Sequence, residues 1–528
     1  MVTVDDGEGL ERFRSAWWQR LLAERATYEL TRFAILRLLA FVYLVAFVAL
    51  YRQLDPLLGS RGLQPVMSFL EWEKAHLGGS AFWTVPTLFW LGASDATMHA
   101  ACWAGILLSA AALAGVTNAV VQLALWAIYL SFVHVGQIFY GYGWEIQLLE
   151  TGFLAVFLCP LRGAAPLPAC AAPKTVIWLF RWLIFRIMIG AALIKLRNDP
   201  CWRDLTCLDY HFETQPNPNP LSWWLHHAPR PVHALGVLFN HFVELVVPWF
   251  AFGFRPYRQT AGILLVAYQI LLISSGNLSF LNWLTIIPAL ACFDDAAFSV
   301  FVPARTRDPL LAGFGTKQAS LGQRRLAAGL AAVVAVLSVA PVTNMLSGSQ
   351  SMNRSFSPLD LVNTYGAFGS VDRERYEVIL EGTRDEVPGR SARWEEYELP
   401  CMPGDLHRRP CLISPYHYRL DWQMWFVGNG AARGESIEDQ PWLVHLVWQL
   451  LAGVPSPKSL FSRNPFDAAP PKWIRADIWR YAFTRGVARP HGSWWTRERV
   501  GEFLRPVSLE NEQLRDYVRS FGWNDGEL

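Results

Sequence analysis

The chain has 528 residues, 52% of them hydrophobic, with a mean hydropathy of +0.19 and a formal net charge of +2. That apolar bulk places much of it in lipid, and a near-balanced charge spread over many loops excludes the basic footprint of a nucleic-acid partner. The 25 Trp exceed ordinary usage, and amphipathic rings of this kind gather at membrane interfaces and binding surfaces.

Residues 1–30 are polar and charged, with no short apolar core ahead of a small-residue cleavage site. They read as a cytosolic segment that leaves targeting to the first span. A membrane domain is expected over residues 31–345. Runs apolar enough to cross about 30 Å of hydrocarbon lie at 33–51, 98–116, 120–137, 146–160, 176–196, 232–252, 261–274, 280–292 and 326–341. The Trp- and Pro-rich stretch 82–91 reads as interfacial. The expectation is a polytopic α-helical domain of about nine spans. With the N-terminus inside, Arg12, Arg14, Arg20, Arg25, Arg162, Lys174, Arg255, Arg258, Arg305, Arg307, Lys317, Arg324 and Arg325 all fall on one side, and the opposite loops are sparser. The positive-inside rule makes the richer side cytosolic, so whatever follows the ninth span is non-cytoplasmic.

Texture changes after the Leu346-Ser347-Gly348-Ser349 linker. Residues 375–381 and 394–401 alternate polar with apolar, as half-buried strands do. Residues 441–452 repeat at helical spacing, and 473–484 return to an extended pattern. A mostly β (α+β) domain is expected over 350–528. Gly366, Gly369 and Gly382 read as turn positions.

The strings NTYGAFGSVDRERYEVILEGT from Asn363 and WEEYELPCMPGDLHRRPCLISPYHYRLDWQMWF from Trp394 resemble the lipase maturation factor family. In the membrane half LYRQLDPLLGSRGLQPV from Leu50, GWEIQLLETGFLAVFLCP from Gly143 and LIKLRNDPCWRDLTCLDYHFETQPNPNPLSWWLHH from Leu193 resemble the same family. The resemblance implies a membrane-resident folding factor in the endoplasmic reticulum membrane, or the inner membrane of a bacterium. Its clients would be secreted homodimeric lipases of the lipoprotein lipase group, and its other partner membrane lipid. The membrane half is also distantly similar to the vitamin K-dependent carboxylase group. That supplies a rival expectation, an integral membrane enzyme in which Lys195 or a nearby His acts as a base. A transporter is the third reading, disfavoured because the halves show no internal repeat.

Individual residues carry further expectations. Cys401 and Cys411 bracket a turn-forming loop, and Cys201 and Cys207 bracket a shorter one. A structural disulfide is preferred for each over a redox pair or free thiols, since neither spacing is CxxC. Cys102, Cys159 and Cys292 read as ordinary buried positions. Glu145, Glu150, Arg181, Arg186 and Glu244 are ionisable residues inside spans, where charge is costly. A Glu150–Arg186 ion pair is the structural reading, and a polar cavity the functional one. Tyr416, Tyr418, Trp422 and Trp425, with His417 and Phe426, form the densest aromatic cluster of the outer domain. Together with Arg408 and Arg409 they are the client-contact candidates, weighed against plain β-core packing and a solvated face. No GxSxG, HExxH, Walker A or GxGxxG motif occurs, and no metal or cofactor is expected.

Overall fold

The computed structural model describes residues 26–161, 163–389, 391–485 and 492–523. The expectations placed on Arg12, Arg14, Arg20, Arg25 and Arg162 lie outside them.

The membrane half is helical throughout. Helix α1 (Glu29–Leu58) is an unbroken helix of 30 residues, apolar through its middle, that carries Pro only in its last turn, at Pro56. Helix α2 (Val66–Leu77) lies beyond its end. Helix α3 (Asp95–Ala114) is capped by the Ser94 hydroxyl, and α4 (Ala119–Val135) by the Asn118 carboxamide, which accepts from the Val120 and Val121 N–H groups. Then follow α5 (Gly143–Val156), α6 (Lys174–Arg197) and α7 (Arg230–His241). Helix α7 runs on through a π turn (Phe242–Val246) and a 3-10 segment (Val247–Phe252). After these come α8 (Arg255–Ser275), α9 (Leu281–Ala289), α10 (Leu321–Leu337) and α11 (Val339–Leu346).

Five of these stretches are long and apolar enough to cross a bilayer: Glu29–Leu58, Asp95–Ala114, Lys174–Arg197, Arg230–Phe252 and Leu321–Leu346. A sixth is added if Leu281–Cys292 and Asp295–Phe301, bent by 112°, form one span. The expected nine therefore includes helices that fall short by length or composition. Helix α4 has 17 residues and α5 has 14, and α8 is diluted by Arg258, Gln259 and Gln269.

Two ends of the bundle are marked by hydrogen bonds. At the near end, where α1 starts, the Glu29 and Leu30 N–H groups donate to Asp295 (2.9 and 2.7 Å) and Arg258 donates to Asp294 (3.1 Å). At the far end, where α1 stops, Ser60 N–H donates to Asp95 (2.8 Å) and the His445 imidazole N–H donates to the Leu63 carbonyl (2.8 Å).

The C-terminal domain sits on the far end. It has one antiparallel sheet of order β2-β1-β3-β4, built from β1 (Arg375–Thr383), β2 (Glu395–Glu396), β3 (Trp473–Phe483) and β4 (Trp495–Val507). Val378 faces Ile478, and Ala476 faces Leu504. Helices α12 (Arg419–Ala432), α13 (Pro441–Leu451) and α14 (Glu512–Ser520) complete it, so the domain is α+β with helices as prominent as strands. Strand β1 is buried almost throughout, not on alternate residues. Its polar face is covered by the segment before α7, whose Glu213 and Pro216 carbonyls accept from Arg375 (3.1 and 2.9 Å). Residues 394–401 hold only a two-residue strand.

Gly366, Gly369 and Gly382 do not have positive φ. Gly366 and Gly382 are instead points of close approach, where a Cβ would stand 2.8 Å from Met352 and 2.7 Å from Phe466.

Candidate functional site: a cavity beneath the seam between the two halves

Of the intramembrane charges, Glu145, Glu150 and Arg186 bond across the seam, and the rest find partners within the membrane half. Glu150 on α5 pairs with Arg186 on α6, both buried. The start of the C-terminal domain closes on this pair: Arg186 donates to the Asn363 carbonyl (2.7 Å), while Asn363 N–H (3.0 Å) and the Tyr365 hydroxyl (2.7 Å) donate to Glu150. Gly190 on α6 makes this approach possible, because any Cβ there would collide with the Tyr365 carbonyl oxygen. Glu145 turns to the outer domain, accepting from Arg419 on α12 (2.8 Å) and the Trp144 indole (2.9 Å). The Arg419 guanidinium lies 3.5 Å over the Tyr140 ring. Arg181 has no carboxylate partner among the described residues; it donates to the Ala291 carbonyl (2.8 Å) and the Tyr28 hydroxyl (3.0 Å). Glu244 accepts from Lys195 (2.6 Å).

Further ties lie around the rim. Asp199, just past α6, accepts from Arg373 (2.9 Å) and from Val371 N–H (3.1 Å). Burial alone would raise its carboxyl, but the Arg373 guanidinium and the N–H donors of Cys201 and Val371 hold it below the usual range. Asn277, between α8 and α9, donates to the Cys411 carbonyl (2.9 Å) and accepts from Ile413 N–H (3.0 Å). Gln53 on α1 donates to the His417 carbonyl (3.1 Å) and accepts from Arg419 N–H (2.8 Å).

The aromatic candidates belong to this seam more than to solvent. Trp422 is buried against Trp144, with ring centroids 4.8 Å apart, and Trp425 donates to the Thr214 carbonyl (2.8 Å). Tyr416 and Tyr418 are half-buried, and Phe426 is exposed on one side. The run lies on or beside helix α12, not in a β core. Arg408 is tied to the Met402 carbonyl and near Glu398, whereas Arg409 is exposed. Cys201 and Cys207 stand at disulfide distance with Cα atoms 4.8 Å apart, and Cys401 and Cys411 likewise at 5.5 Å. His134, His227 and His241 each donate to a backbone carbonyl, of Pro358, Trp223 and Trp202. No cluster of three metal-ligating side chains occurs among the described residues.

Beneath the seam lies a cavity of about 560 Å³, walled by α5 to α9 and roofed by the segment around Tyr365 to Ser370 and by α12. This falls within the roughly 300–1,000 Å³ of small-molecule sites. Its walls are mainly apolar, with the hydrogen-bonded pairs Gln147–Thr285 and Asn282–Gln269 among them and a charged cluster beside these. The Lys195 ammonium donates to Glu244 and Asn240 (2.9 Å), the Tyr268 hydroxyl donates to Glu244 (2.9 Å), and Trp202 lies 4.8 Å from the ammonium. The π turn that holds Glu244 ends just before Pro248, which has no N–H to donate, so the helix widens where the carboxylate must reach inward. Asn240, Tyr268, His211, Asn363, Tyr365 and Arg419 were not singled out in the sequence. Their one local signal is that polar residues recur inside otherwise apolar or motif-like strings.

Comparison with known proteins matches residues 30–300 to the lipase maturation factor transmembrane domain and residues 361–505 to the lipase maturation factor C-terminal domain. Lipase maturation factor 1 of Bos taurus is 47% identical over 94% of this chain and 92% of its own length. The Homo sapiens protein of that name is 45% identical over 94% and 91%. Lipase maturation factor 2 of Xenopus laevis is 30% identical over 94% of this chain and 85% of its own. These matches do not extend to the vitamin K-dependent carboxylase likeness, and no solved structure matches significantly.

Proposed function

The chain belongs to the lipase maturation factor family, and from that premise we propose that it is a multi-pass membrane factor that helps secreted lipases of the lipoprotein lipase type reach an active, export-competent fold. The observation that carries this reading is the similarity at 45–47% identity along 94% of the chain, which spans both halves and the seam between them.

Helices α1, α3 to α9 and the α10–α11 pair alternate between the near and far ends, which supports nine traverses with the shorter helices sheltered inside the bundle. The near end collects Arg37, Lys174, Arg255, Arg258, Lys317, Arg324 and Arg325, and the far end holds both cysteine pairs. That division supports a cytosolic near end and a C-terminal domain in an oxidising compartment, the endoplasmic reticulum lumen or a bacterial periplasm. There Cys201–Cys207 and Cys401–Cys411 act as structural disulfides.

The client surface is the loop clasped by Cys401 and Cys411 together with the residue that follows it, where Arg409 and Leu412 are exposed, and not the buried side of the aromatic run. Tyr416, Tyr418, Trp422, Trp425 and Arg408 position it. The enzyme reading is weaker, because the Lys195 ammonium donates to Glu244 and Asn240 and offers no free lone pair as a base. Co-isolation of newly made lipoprotein lipase with the full chain in detergent tests the assignment. The Arg409→Glu, Leu412→Glu variant should lose the lipase while keeping its melting temperature; equal recovery would remove this loop from the client surface.

A further inference from the structure

The cavity beneath the seam has a side door. On one rim stand Val232, at the start of α7, and on the other Leu271, near the end of α8; both line the cavity and both are more than half exposed. The surface around this opening is apolar on both helices, with Leu235, Leu238, Ile263 and Ile270 also exposed, as a lipid-facing surface is. This rim offers a molecule entry sideways from the bilayer, while the exposed lining residues Met352 and Phe426 stand on the outer-domain side.

The interior points to the chemistry of the occupant. Lys195 is the one Lys or Arg among the described lining residues, and its ammonium is already engaged by Glu244 and Asn240. His233 is engaged by Asp209 and by the Leu225 carbonyl, each at 2.7 Å. No unspent cation remains there to hold a phosphate or a carboxylate. His211 differs. It lines the cavity, is 93% buried, and its Nδ1 has no hydrogen-bond partner among the described residues. Burial, with the Lys195 charge nearby, pushes its imidazole down to about 4, so it is neutral across the physiological range and offers one donor and one acceptor. That Nδ1 is sealed within the fold, whereas Nε2, which also has no hydrogen-bond partner among the described residues, is the ring nitrogen open to a ligand hydroxyl or ester.

We propose that the cavity binds an uncharged acyl-chain lipid with a hydroxyl or ester head, of the acylglycerol class, which enters between Val232 and Leu271 and sets its polar end against His211. The acyl chain lies along the apolar lining residues Phe239, Leu271 and Leu272 towards Ile187 and Met188 of α6, and the Lys195–Glu244 pair remains intact beside the head. This is independent of the client assignment, since it concerns what the seam encloses and not what the outer loop contacts.

The test uses the full chain in phosphatidylcholine nanodiscs with two photoactivatable probes carrying the same diazirine acyl chain, one a diacylglycerol and one a phosphatidylcholine. Crosslinks are mapped by mass spectrometry. The diacylglycerol probe should label peptides containing Val232 to Phe239 and Leu271 to Ser275 saturably, and unlabelled diacylglycerol should compete. His211→Phe keeps the ring's bulk and should weaken that competition by about 5-fold, the worth of one net hydrogen bond. Leu272→Trp, which fills the space from the half-buried rim, should abolish cavity labelling while the melting temperature holds. Equal saturable labelling of these peptides by the phosphatidylcholine probe would overturn the uncharged head. Diacylglycerol labelling no stronger here than at the lipid-facing Trp103 to Leu107, or unchanged in both variants, would overturn the site.

Discussion

Glu150 and Arg186 set a clear expectation at the residue scale. Both are buried, and both also bond to the Asn363 to Tyr365 segment, so removing one partner strands the other with its remaining bonds mismatched. Glu150→Gln or Arg186→Gln alone should cost about 3–5 kcal/mol, and the double variant should recover part of that loss. Melting temperatures in detergent check it; two additive losses would mean the pair is not coupled. Asp421 offers a pH readout in the outer domain. Burial raises its carboxyl to about 7, against the N–H donors of Cys401 and Met402 that favour the charged form. A carboxyl raised on folding adds stability that is full below its unfolded value near 3.8 and is lost as pH climbs to about 7. Asp421→Asn keeps an acceptor for those two N–H groups and should flatten the dependence between pH 4 and 7. An unchanged pH profile of the melting temperature would place the titration elsewhere. Little of this partnering was legible in the sequence. A costly charge within an apolar run can be seen locally, but the partner of Glu145 is Arg419, 274 residues away, and nothing in either neighbourhood specifies the other.

At the element scale, legibility followed how local the forces are. The long apolar helices could be read because hydrocarbon thickness sets their length, and β3 because its extended pattern is continuous. Helix α12 could not, since WQMWFVGNG mixes aromatics with two glycines and has weak helical propensity. It is helical because its buried face packs on β1, where Gly428 lets the backbone meet the Tyr376 carbonyl with no room for a Cβ. Gly190 does the same for α6 against Tyr365. Gly190→Val and Gly428→Val should each cost at least about 1–3 kcal/mol, the range for overpacking, and should speed proteolytic release of the C-terminal domain. Gly501→Val, on the exposed β4 with open space around it, should leave the cleavage rate unchanged. Similar rates in all three would show that close packing at α6 and α12 does not hold the domain.

For the whole molecule, one apolar cluster runs from α1 to α13 without a break at the seam, so the two halves behave as a single body. Domain order and texture were visible in the sequence because composition changes after residue 346; the cavity was not, because its walls come from five helices and a returning loop that only the fold brings together. The proposed topology predicts opposite accessibility for Ser320→Cys at the near end and Val387→Cys in the outer domain. A membrane-impermeant maleimide should label the first only from the cytosolic face and the second only from the other, and labelling of both from one face would refute it. The most direct measurement is rescue: the full chain is expressed in cells lacking their own lipase maturation factor, and secreted lipoprotein lipase activity is measured per unit of lipase protein. Specific activity should be restored. Lipase that stays inactive while the chain is abundant and correctly inserted would contradict it.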